Sequence, residues 1–389
     1  MKRVFFIIGF FVAAVSFVLV QAYAPLRFGA NAKAEDNMLE VRAKSSYLIE
    51  VNTGTVLHSH NESKKLPMAS MTKMMTLKIL FNEIEKGRFA EDDHVPVSEN
   101  AAAQEGSQAF LDSGKKYLLS DLIKSTIIAS ANDSAVAIAE YVSGSELEFV
   151  KLMNEECKKM GLSGTHFSNS TGLPAADHYS TAADMAKLAA QVVEDSNYKK
   201  YSKTYLDELI HESGRKTQLV NTNRSLKNYI GFEGGKTGHT KEAGYCMAAV
   251  AKRGDMVLVA VVMGEESSKV RSDDITKLFD YGFNNFKTEE IISLDEPVGE
   301  IEVENGENKT IDIFAKESFV VFMNKTDIFE YEIEKDIQKN KAPITKGETI
   351  GFVRVFNDEK LIFETELIAG EQSSHIGIWK TYKTIVEKF

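Results

Sequence analysis

The chain contains 389 residues, with a formal net charge of -11 and 43% hydrophobic residues. This length and composition are sufficient for a large hydrophobic core and suggest two domains rather than one. The acidic balance argues against nucleic acid as a partner. The two cysteines, Cys157 and Cys246, cannot form a metal site by themselves. We expect two unpaired thiols, although the sequence leaves their pairing open.

The N-terminus indicates the compartment. Two basic residues precede an apolar run over residues 4–20, and small residues follow at Ala32 and Ala34. This order is typical of a secretory signal peptide, which we assign to residues 1–34, with cleavage near one of these alanines. The alternative is an uncleaved membrane anchor, because the run is almost long enough to span a bilayer. In either case we expect the rest of the protein to work outside the cytoplasmic membrane.

A serine and a lysine three residues apart stand at the start of a predicted helix over residues 70–85. The strand pattern of residues 46–58 predicts a hairpin ahead of it, and Pro67 is well placed before a helix start. Residues three apart share a helix face, so Ser70 and Lys73 are expected to meet. A serine hydroxyl needs a base to become a nucleophile, and a lysine is a base only when burial or nearby positive charge keeps it neutral. The alternative is an N-cap serine beside a solvated lysine.

A second group of polar residues interrupts two apolar helical patterns. These patterns run from Leu118 to Ile128 and from Ala135 to Val142, and Ser130-Ala131-Asn132 lies on the short connection between them. Polar side chains in such a place are hydrogen-bonded or face a cleft. The alternative is plain capping of the second helix by its first polar residues.

A long loop over residues 161–172 separates a predicted helix at 148–160 from another at 181–194. The loop is rich in Ser, Thr, Asn and Gly and contains no acidic residue. We interpret His166 and His178, in and just after this loop, as hydrogen-bonding residues rather than catalytic ones.

A third motif, Lys236-Thr237-Gly238, precedes a predicted hairpin with strands at 245–251 and 256–263. We therefore expect it near the edge of an antiparallel sheet, where glycines allow a ligand backbone to approach closely. The alternative is a flexible turn that carries a lysine.

The remaining pattern predicts the domain organisation. A helix at 276–286 closes a first domain over residues 35–287, and short alternating strands predict a small all-β domain over residues 291–370. Residues 373–389 form an amphipathic pattern with aromatic residues opposite lysines, which is typical of a helix on an anionic membrane surface. The alternative is a helix docked onto the β domain.

The order of the motifs identifies a family. In a secreted chain these are the signature elements of penicillin-binding proteins and serine β-lactamases: Ser70-x-x-Lys73, Ser130-x-Asn132 and Lys236-Thr237-Gly238. The surrounding residues, including His239-Thr240 after the third motif, resemble the serine D-alanyl-D-alanine carboxypeptidases of peptidase family S11, over about residues 40–285. The resemblance implies an α/β (α+β) serine β-lactamase/DD-peptidase fold. In this fold an antiparallel sheet is flanked by helices, and the site lies between the sheet edge and an all-helical lobe.

The resemblance also implies catalytic roles. Ser70 would attack the carbonyl of the penultimate D-alanine of a peptidoglycan stem peptide, and Lys73 would take its proton. Ser130 would pass a proton to the departing D-alanine. Water would then release the acyl-enzyme, and no metal or cofactor is implied.

Binding roles follow from the same resemblance. Asn132 would hold the substrate amide, and Lys236 and Thr237 would bind the terminal carboxylate. The backbone N–H groups of Ser70 and His239 would form the oxyanion hole, beside Gly238. β-Lactam antibiotics would be covalent inhibitors, and the C-terminal helix would contact the membrane surface.

Two departures and three alternatives accompany this interpretation. Gly235 stands where a larger apolar residue is expected, which predicts a locally looser strand, and Cys246 is expected near the site, where a thiol reagent would inhibit. A class A β-lactamase uses a glutamate on its loop for deacylation, and the absence of an acid from residues 161–174 argues against that function. The complete set of motifs argues against a non-catalytic wall scaffold. Transpeptidation and endopeptidase action use the same residues and stay open.

Overall fold

The computed structural model describes residues 27–29, 39–223 and 229–377. The described chain forms two compact units. The larger contains residues 27–290 and 320–330, and the smaller contains the described parts of 291–319 and 331–389. The predicted signal segment, apart from residues 27–29, and residues 378–389 of the predicted membrane helix lie outside the described ranges. Within those ranges no helix is long and apolar enough to cross a membrane.

Helices account for much of the larger unit. A single 3₁₀ turn, Ala69–Thr72, precedes the first α-helix. The α-helices are α1 (Lys73–Glu85), α2 (Glu99–Ala102), α3 (Leu119–Ile128), α4 (Asn132–Ser143), α5 (Glu146–Lys159), α6 (Ala182–Glu194), α7 (Ser196–Ser202) and α8 (Ser268–Asn285). Their buried faces are mostly apolar, as the sequence pattern requires, but those of α1, α4 and α8 also carry polar or charged residues.

Strands occur in both units. They are β1 (Arg27–Gly29), β2 (Ser45–Glu50), β3 (Thr55–His60), β4 (His94–Pro96), β5 (Lys116–Leu118), β6 (Leu206–Ile210), β7 (Lys216–Val220), β8 (Phe232–Thr240), β9 (Gly244–Arg253), β10 (Met256–Glu265), β11 (Phe286–Ile292), β12 (Gly299–Glu302), β13 (Thr310–Ala315), β14 (Phe319–Asn324), β15 (Glu332–Ile337), β16 (Thr349–Asn357) and β17 (Lys360–Ala369).

The central sheet of the larger unit has the strand order β3-β2-β10-β9-β8 and is antiparallel. Its middle strand β10 is apolar at almost every position, because both faces are covered. Alternate side chains point to opposite faces. Thus Val257, Val259 and Val261 join the core shared with α1, α3, α4 and α6, whereas Leu258 and Ala260 join the core shared with α8. The predicted antiparallel sheet flanked by helices is confirmed, and β8 lies at its edge.

Several elements of the larger unit differ from the sequence prediction. Between α1 and α3, where the sequence pattern is mixed and predicts no element, the structure contains α2 and the short β4–β5 ladder. The hairpin β6–β7 and helix α7 were not expected, because their short amphipathic runs carry many charged residues. Helix α8 begins at Ser268, eight residues before the predicted start, where the hydroxyl of Ser267 accepts the N-cap hydrogen bond from the N–H of Val270.

The smaller unit contains a five-stranded antiparallel sheet with the order β12-β13-β17-β16-β15. This confirms the predicted C-terminal all-β unit. One predicted strand of that segment, β14, instead joins a separate sheet with the order β1-β14-β11, and residues 27–29 pair in parallel with residues 320–322. The predicted helix from residue 373 is not helical where it is described, because Ser373 and His375 form isolated bridges.

Candidate active site

Ser70 lies on a turn that brings it directly against Lys73. The sequence predicted an α-helix from Ser70, but the α-helix begins at Lys73, and Ser70 occupies the preceding 3₁₀ turn. Residues i and i+3 eclipse one another in a 3₁₀ turn, which aligns these two side chains. Lys73 Nζ donates to Ser70 Oγ at 3.0 Å. Ala69 opens the turn in the left-handed region, with φ 49°, a strained conformation for a residue other than glycine.

Lys73 is fully buried, and its amine has three oxygen partners. Besides Ser70 Oγ, Nζ donates to Asn132 Oδ1 at 2.6 Å and to the carbonyl of Thr171 at 2.7 Å. Burial, and then the charge of Lys236, hold the pKa of Lys73 well below its usual range, while the charge of Asp133 opposes the shift. The site therefore favours the neutral amine that a base requires.

The connection between α3 and α4 faces this lysine. Ser130 adopts the left-handed region, with φ 61°, and Asn132 begins α4. The Asn132 side chain is fixed at both ends, because Nδ2 donates to the carbonyl of Glu105 at 2.5 Å while Oδ1 accepts from Lys73. Capping is therefore not its role, since no side-chain hydrogen bond caps α4.

The edge strand β8 carries the third motif. Lys236 Nζ donates to Ser130 Oγ at 2.7 Å and to the carbonyl of Thr237 at 3.1 Å. Burial, followed by the charge of Arg271, lowers the pKa of Lys236 to about 7. A Cβ at Gly238 would lie 2.5 Å from the carbonyl oxygen of Met68 and 3.2 Å from the N atom of Ser70, so only glycine lets β8 pass this close to the nucleophile turn.

Gly235 is held tightly, in contrast to the looser strand expected from the sequence. Its carbonyl accepts from Tyr198 Oη at 2.9 Å and from Asn223 Nδ2 at 2.8 Å. Its φ is 150°, and a Cβ would lie 2.3 Å from the carbonyl oxygen of Ala248. The glycine thus allows β8 and β9 to approach closely.

His239 and Cys246 lie at the far end of this strand pair. The exposed ring of His239 stacks on Tyr245 at 4.0 Å between centroids, while Cys246 pairs with Gly238 across the ladder. Cys246 is buried, and burial raises the pKa of its thiol to about 11. A buried thiol with a raised pKa is a poor target for thiol reagents, which argues against the expected inhibition. Both cysteines are free, as predicted.

The loop after α5 supports the nucleophile turn through His178. The Ser168 N–H donates to His178 Nδ1 at 3.0 Å, so Nε2 carries the ring proton and faces Thr72 Oγ1 at 2.7 Å. Thr72 in turn donates to the carbonyl of Ala69 at 2.8 Å. Burial, and then the charges of His166 and Lys73, lower the pKa of His178 to about 4.

Both histidines of this region are hydrogen-bonded, as predicted. His166 Nδ1 lies 2.5 Å from the carbonyl oxygen of Asp177. The loop 161–174 presents the carbonyl of Thr171 to Lys73 and contains no carboxylate of the kind that a class A β-lactamase uses for deacylation.

Sequence reasoning missed Arg271. It lies in the first turn of α8 and is buried. Its Nε atom has no hydrogen-bond partner in the described part of the chain. Its charge helps to lower the pKa of Lys236. In the sequence it looks like one of several charges on a solvated helix. The feature that points to a functional role is the burial of Arg271 near Lys236, and this burial is visible only in the folded structure.

Comparisons with known proteins find matches over both parts of the chain. Residues 30–267 match the family model described as D-alanyl-D-alanine carboxypeptidase, and residues 286–374 match that of the penicillin-binding protein 5 C-terminal domain. The chain is 37% identical to D-alanyl-D-alanine carboxypeptidase DacF of Bacillus subtilis, covering 92% of this chain and 93% of that protein. It is 31% identical to DacD of Escherichia coli, covering 85% and 87%. The solved structure of penicillin-binding protein 5 from Haemophilus influenzae matches with a TM-score of 0.67 at 29% identity, covering 86% and 98%.

Proposed function

Because the chain belongs to the D-alanyl-D-alanine carboxypeptidase family, we propose that it removes the terminal D-alanine from peptidoglycan stem peptides through an acyl-enzyme on Ser70. The main support for this proposal is the 3.0 Å contact between Ser70 Oγ and the buried amine of Lys73. The pKa of this amine is lowered. A neutral amine at this distance is within proton-transfer range of the hydroxyl.

The proposed acylation moves one proton and exchanges one bond. Ser70 Oγ forms an ester bond to the carbonyl carbon of the penultimate D-alanine as its proton passes to Lys73. When the C–N bond to the terminal D-alanine breaks, Ser130 gives a proton to the leaving amine. Ser130 regains its proton from Lys236, whose Nζ donates to its hydroxyl, and the proton that Lys73 took from Ser70 balances this loss. Water then hydrolyses the ester and returns the free serine.

The proposed binding groups surround this path. Lys236 and Thr237 bind the terminal carboxylate, and the unpartnered Nε of Arg271 adds a further cation on that side. Asn132 holds the substrate amide. The N–H groups of Ser70 and His239 stabilise the oxyanion, and Gly238 allows β8 to lie close to the turn that carries Ser70.

The outer segments have proposed roles as well. A signal peptide over residues 1–34 directs the catalytic domain, residues 35–287, to the outer side of the cytoplasmic membrane, and β1 (Arg27–Gly29) belongs to the chain before cleavage only. The β domain, residues 291–370, raises the site towards the wall, and the amphipathic segment 373–389 binds the anionic membrane surface. Retention of the full chain on anionic vesicles, and its release when residues 373–389 are removed, is the test of this arrangement.

The catalytic proposal is tested with diacetyl-L-Lys-D-Ala-D-Ala and the full-length protein. We expect D-alanine release by the parent and by Ser113→Ala, an exposed serine control, but not by Ser70→Ala. Benzylpenicillin should label the parent at Ser70, and the adduct should decay slowly. Labelling without D-alanine release would point to another acyl acceptor, rapid loss of the adduct would favour a β-lactamase, and absence of labelling would contradict the mechanism.

A further inference from the structure

An apolar pocket of about 360 Å³ lies directly beside the nucleophile turn. Its wall is formed by the turn itself, by the end of the loop after α5 and by the residues that follow the third motif. The residues that define it are Pro67, Ala69, Leu173, Pro174, Thr240 and Glu242. None of these residues has a role in the proposed acyl transfer.

The direction of β8 relates this pocket to the substrate. Lys236 marks the proposed carboxylate site, Gly238 lies against the N atom of Ser70, and Thr240 lines the pocket. At about 3.3 Å per residue, Thr240 is roughly 13 Å from Lys236 along the strand. In an extended peptide with its carboxylate at Lys236 and its scissile carbonyl at Ser70, the third residue from the end lies about 7–10 Å along β8, between Gly238 and Thr240, and its side chain spans the remaining distance to the pocket.

The chemistry of the pocket is asymmetric. Most of its lining is apolar, and Glu242 contributes the only carboxylate among the described residues around it. Glu242 is exposed, and no ion pair involves it within the described ranges. The neighbouring His178 is neutral, since its Nδ1 accepts a hydrogen bond from Ser168. An apolar cavity with one unpaired carboxylate at its rim complements an alkyl chain that ends in a cation.

We propose that this pocket binds the side chain of the residue that precedes D-Ala-D-Ala, and that Glu242 selects a diamino acid with a free terminal ammonium. The inference rests on the proposed carboxypeptidase function and specifies its substrate. The alkyl chain contacts Leu173 and Pro174, while the ammonium pairs with Glu242 at the solvent boundary.

The test compares two peptides that differ only in the terminal amine. These are Nα-acetyl-L-Lys-D-Ala-D-Ala, with a free ε-ammonium, and its Nε-acetylated form. We expect the parent protein to favour the free amine in kcat/KM by about three- to fivefold, the range for a partly solvated ion pair. Glu242→Gln should abolish this preference and leave turnover of the acetylated peptide unchanged. Glu155→Gln, which removes an exposed charge on α5, should keep the preference.

A third peptide separates the apolar part of the pocket from its charge. With norleucine in place of lysine, Leu173→Ala should lower kcat/KM severalfold, whereas Glu242→Gln should have no effect. Equal turnover of the free and acetylated lysine peptides by the parent would overturn the subsite alone, as would a preference that survives Glu242→Gln. No D-alanine from any peptide would overturn the proposed function together with the subsite.

Discussion

His178 Nε2 lies 2.7 Å from Thr72 Oγ1, and this hydrogen bond connects a loop histidine to the backbone that carries the nucleophile. Because Thr72 donates to the carbonyl of Ala69, the contact fixes the left-handed residue just before Ser70. His178 touches neither Ser70 nor Lys73 through a hydrogen bond in the described structure, so it acts as a positioning residue.

We predict that His178→Ala slows acylation of Ser70 by benzylpenicillin about tenfold or more, since losing a buried hydrogen-bond partner costs roughly 1–3 kcal/mol. Gln can place an N–H near the position of Nε2, so His178→Gln should recover part of the rate. The measurement is the second-order acylation rate constant beside the melting temperature. His166→Ala, on the same loop, is the control and should acylate normally. A loss of stability without a change in acylation rate would limit His178 to a structural role.

The sequence was sufficient to predict the pieces of the site that depend on residue type and spacing. The separation of Ser70 from Lys73 and the charged, glycine-containing turn between the two apolar runs of the β9–β10 hairpin both encode local geometry. The carbonyl of Thr171 could not be predicted, because a main-chain oxygen carries no residue identity. Arg271 was missed because burial of a charge is decided by the packing of α8, and the path of β14 because strand pairing over long sequence separation is not a local property.

The two site lysines predict a bell-shaped dependence of acylation on pH. The rate should rise as Lys73, with its lowered pKa, loses its proton, and fall above about pH 7 as Lys236 loses its own. The alkaline loss follows because neutral Lys236 no longer attracts the substrate carboxylate. Arginine stays charged throughout this range.

The substitution Lys236→Arg should therefore lower the maximal rate but remove the alkaline limb near pH 7. The measurement is the acylation rate constant, followed by stopped flow from about pH 4.5 to about pH 9.5. The acid limb is expected to remain in the variant, because a positive charge still faces Lys73. An alkaline limb that persists unchanged in the arginine variant would assign it to another group.

Gly172 lies where the loop after α5 makes its close approach to the nucleophile turn. A Cβ at Gly172 would lie 1.9 Å from the carbonyl oxygen of Ala69, whereas a Cβ at Gly161 would meet nothing within 4 Å. Both glycines have positive φ, so alanine at either costs on the order of 1 kcal/mol of backbone strain. Only Gly172→Ala should also displace the turn, with a loss of acylation of at least about tenfold. Equal acylation rates in the two variants would contradict the required contact.

The last prediction concerns the stability of the larger unit. Glu265 is buried beside Asp274. Burial, and then this neighbouring acid, raise the pKa of Glu265 to about 7. Asp274 itself accepts a hydrogen bond from the backbone N–H of Arg42 at 2.7 Å. A carboxyl whose pKa is raised on folding binds its proton more tightly in the folded state. The stability contributed by protonated Glu265 is therefore complete below its unfolded pKa and is lost as pH rises through about 7.

Glu265→Gln keeps the shape of this side chain without its charge. It should raise the free energy of unfolding above pH 7 by on the order of 1 kcal/mol and flatten its dependence on pH. Urea unfolding of the parent and the variant at acidic and alkaline pH measures both quantities. Glu266→Gln, at an exposed neighbouring position, should leave the pH dependence of the parent intact. If Glu265→Gln instead unfolds with the same pH dependence as the parent, the proton bound by Glu265 does not set the pH dependence of stability.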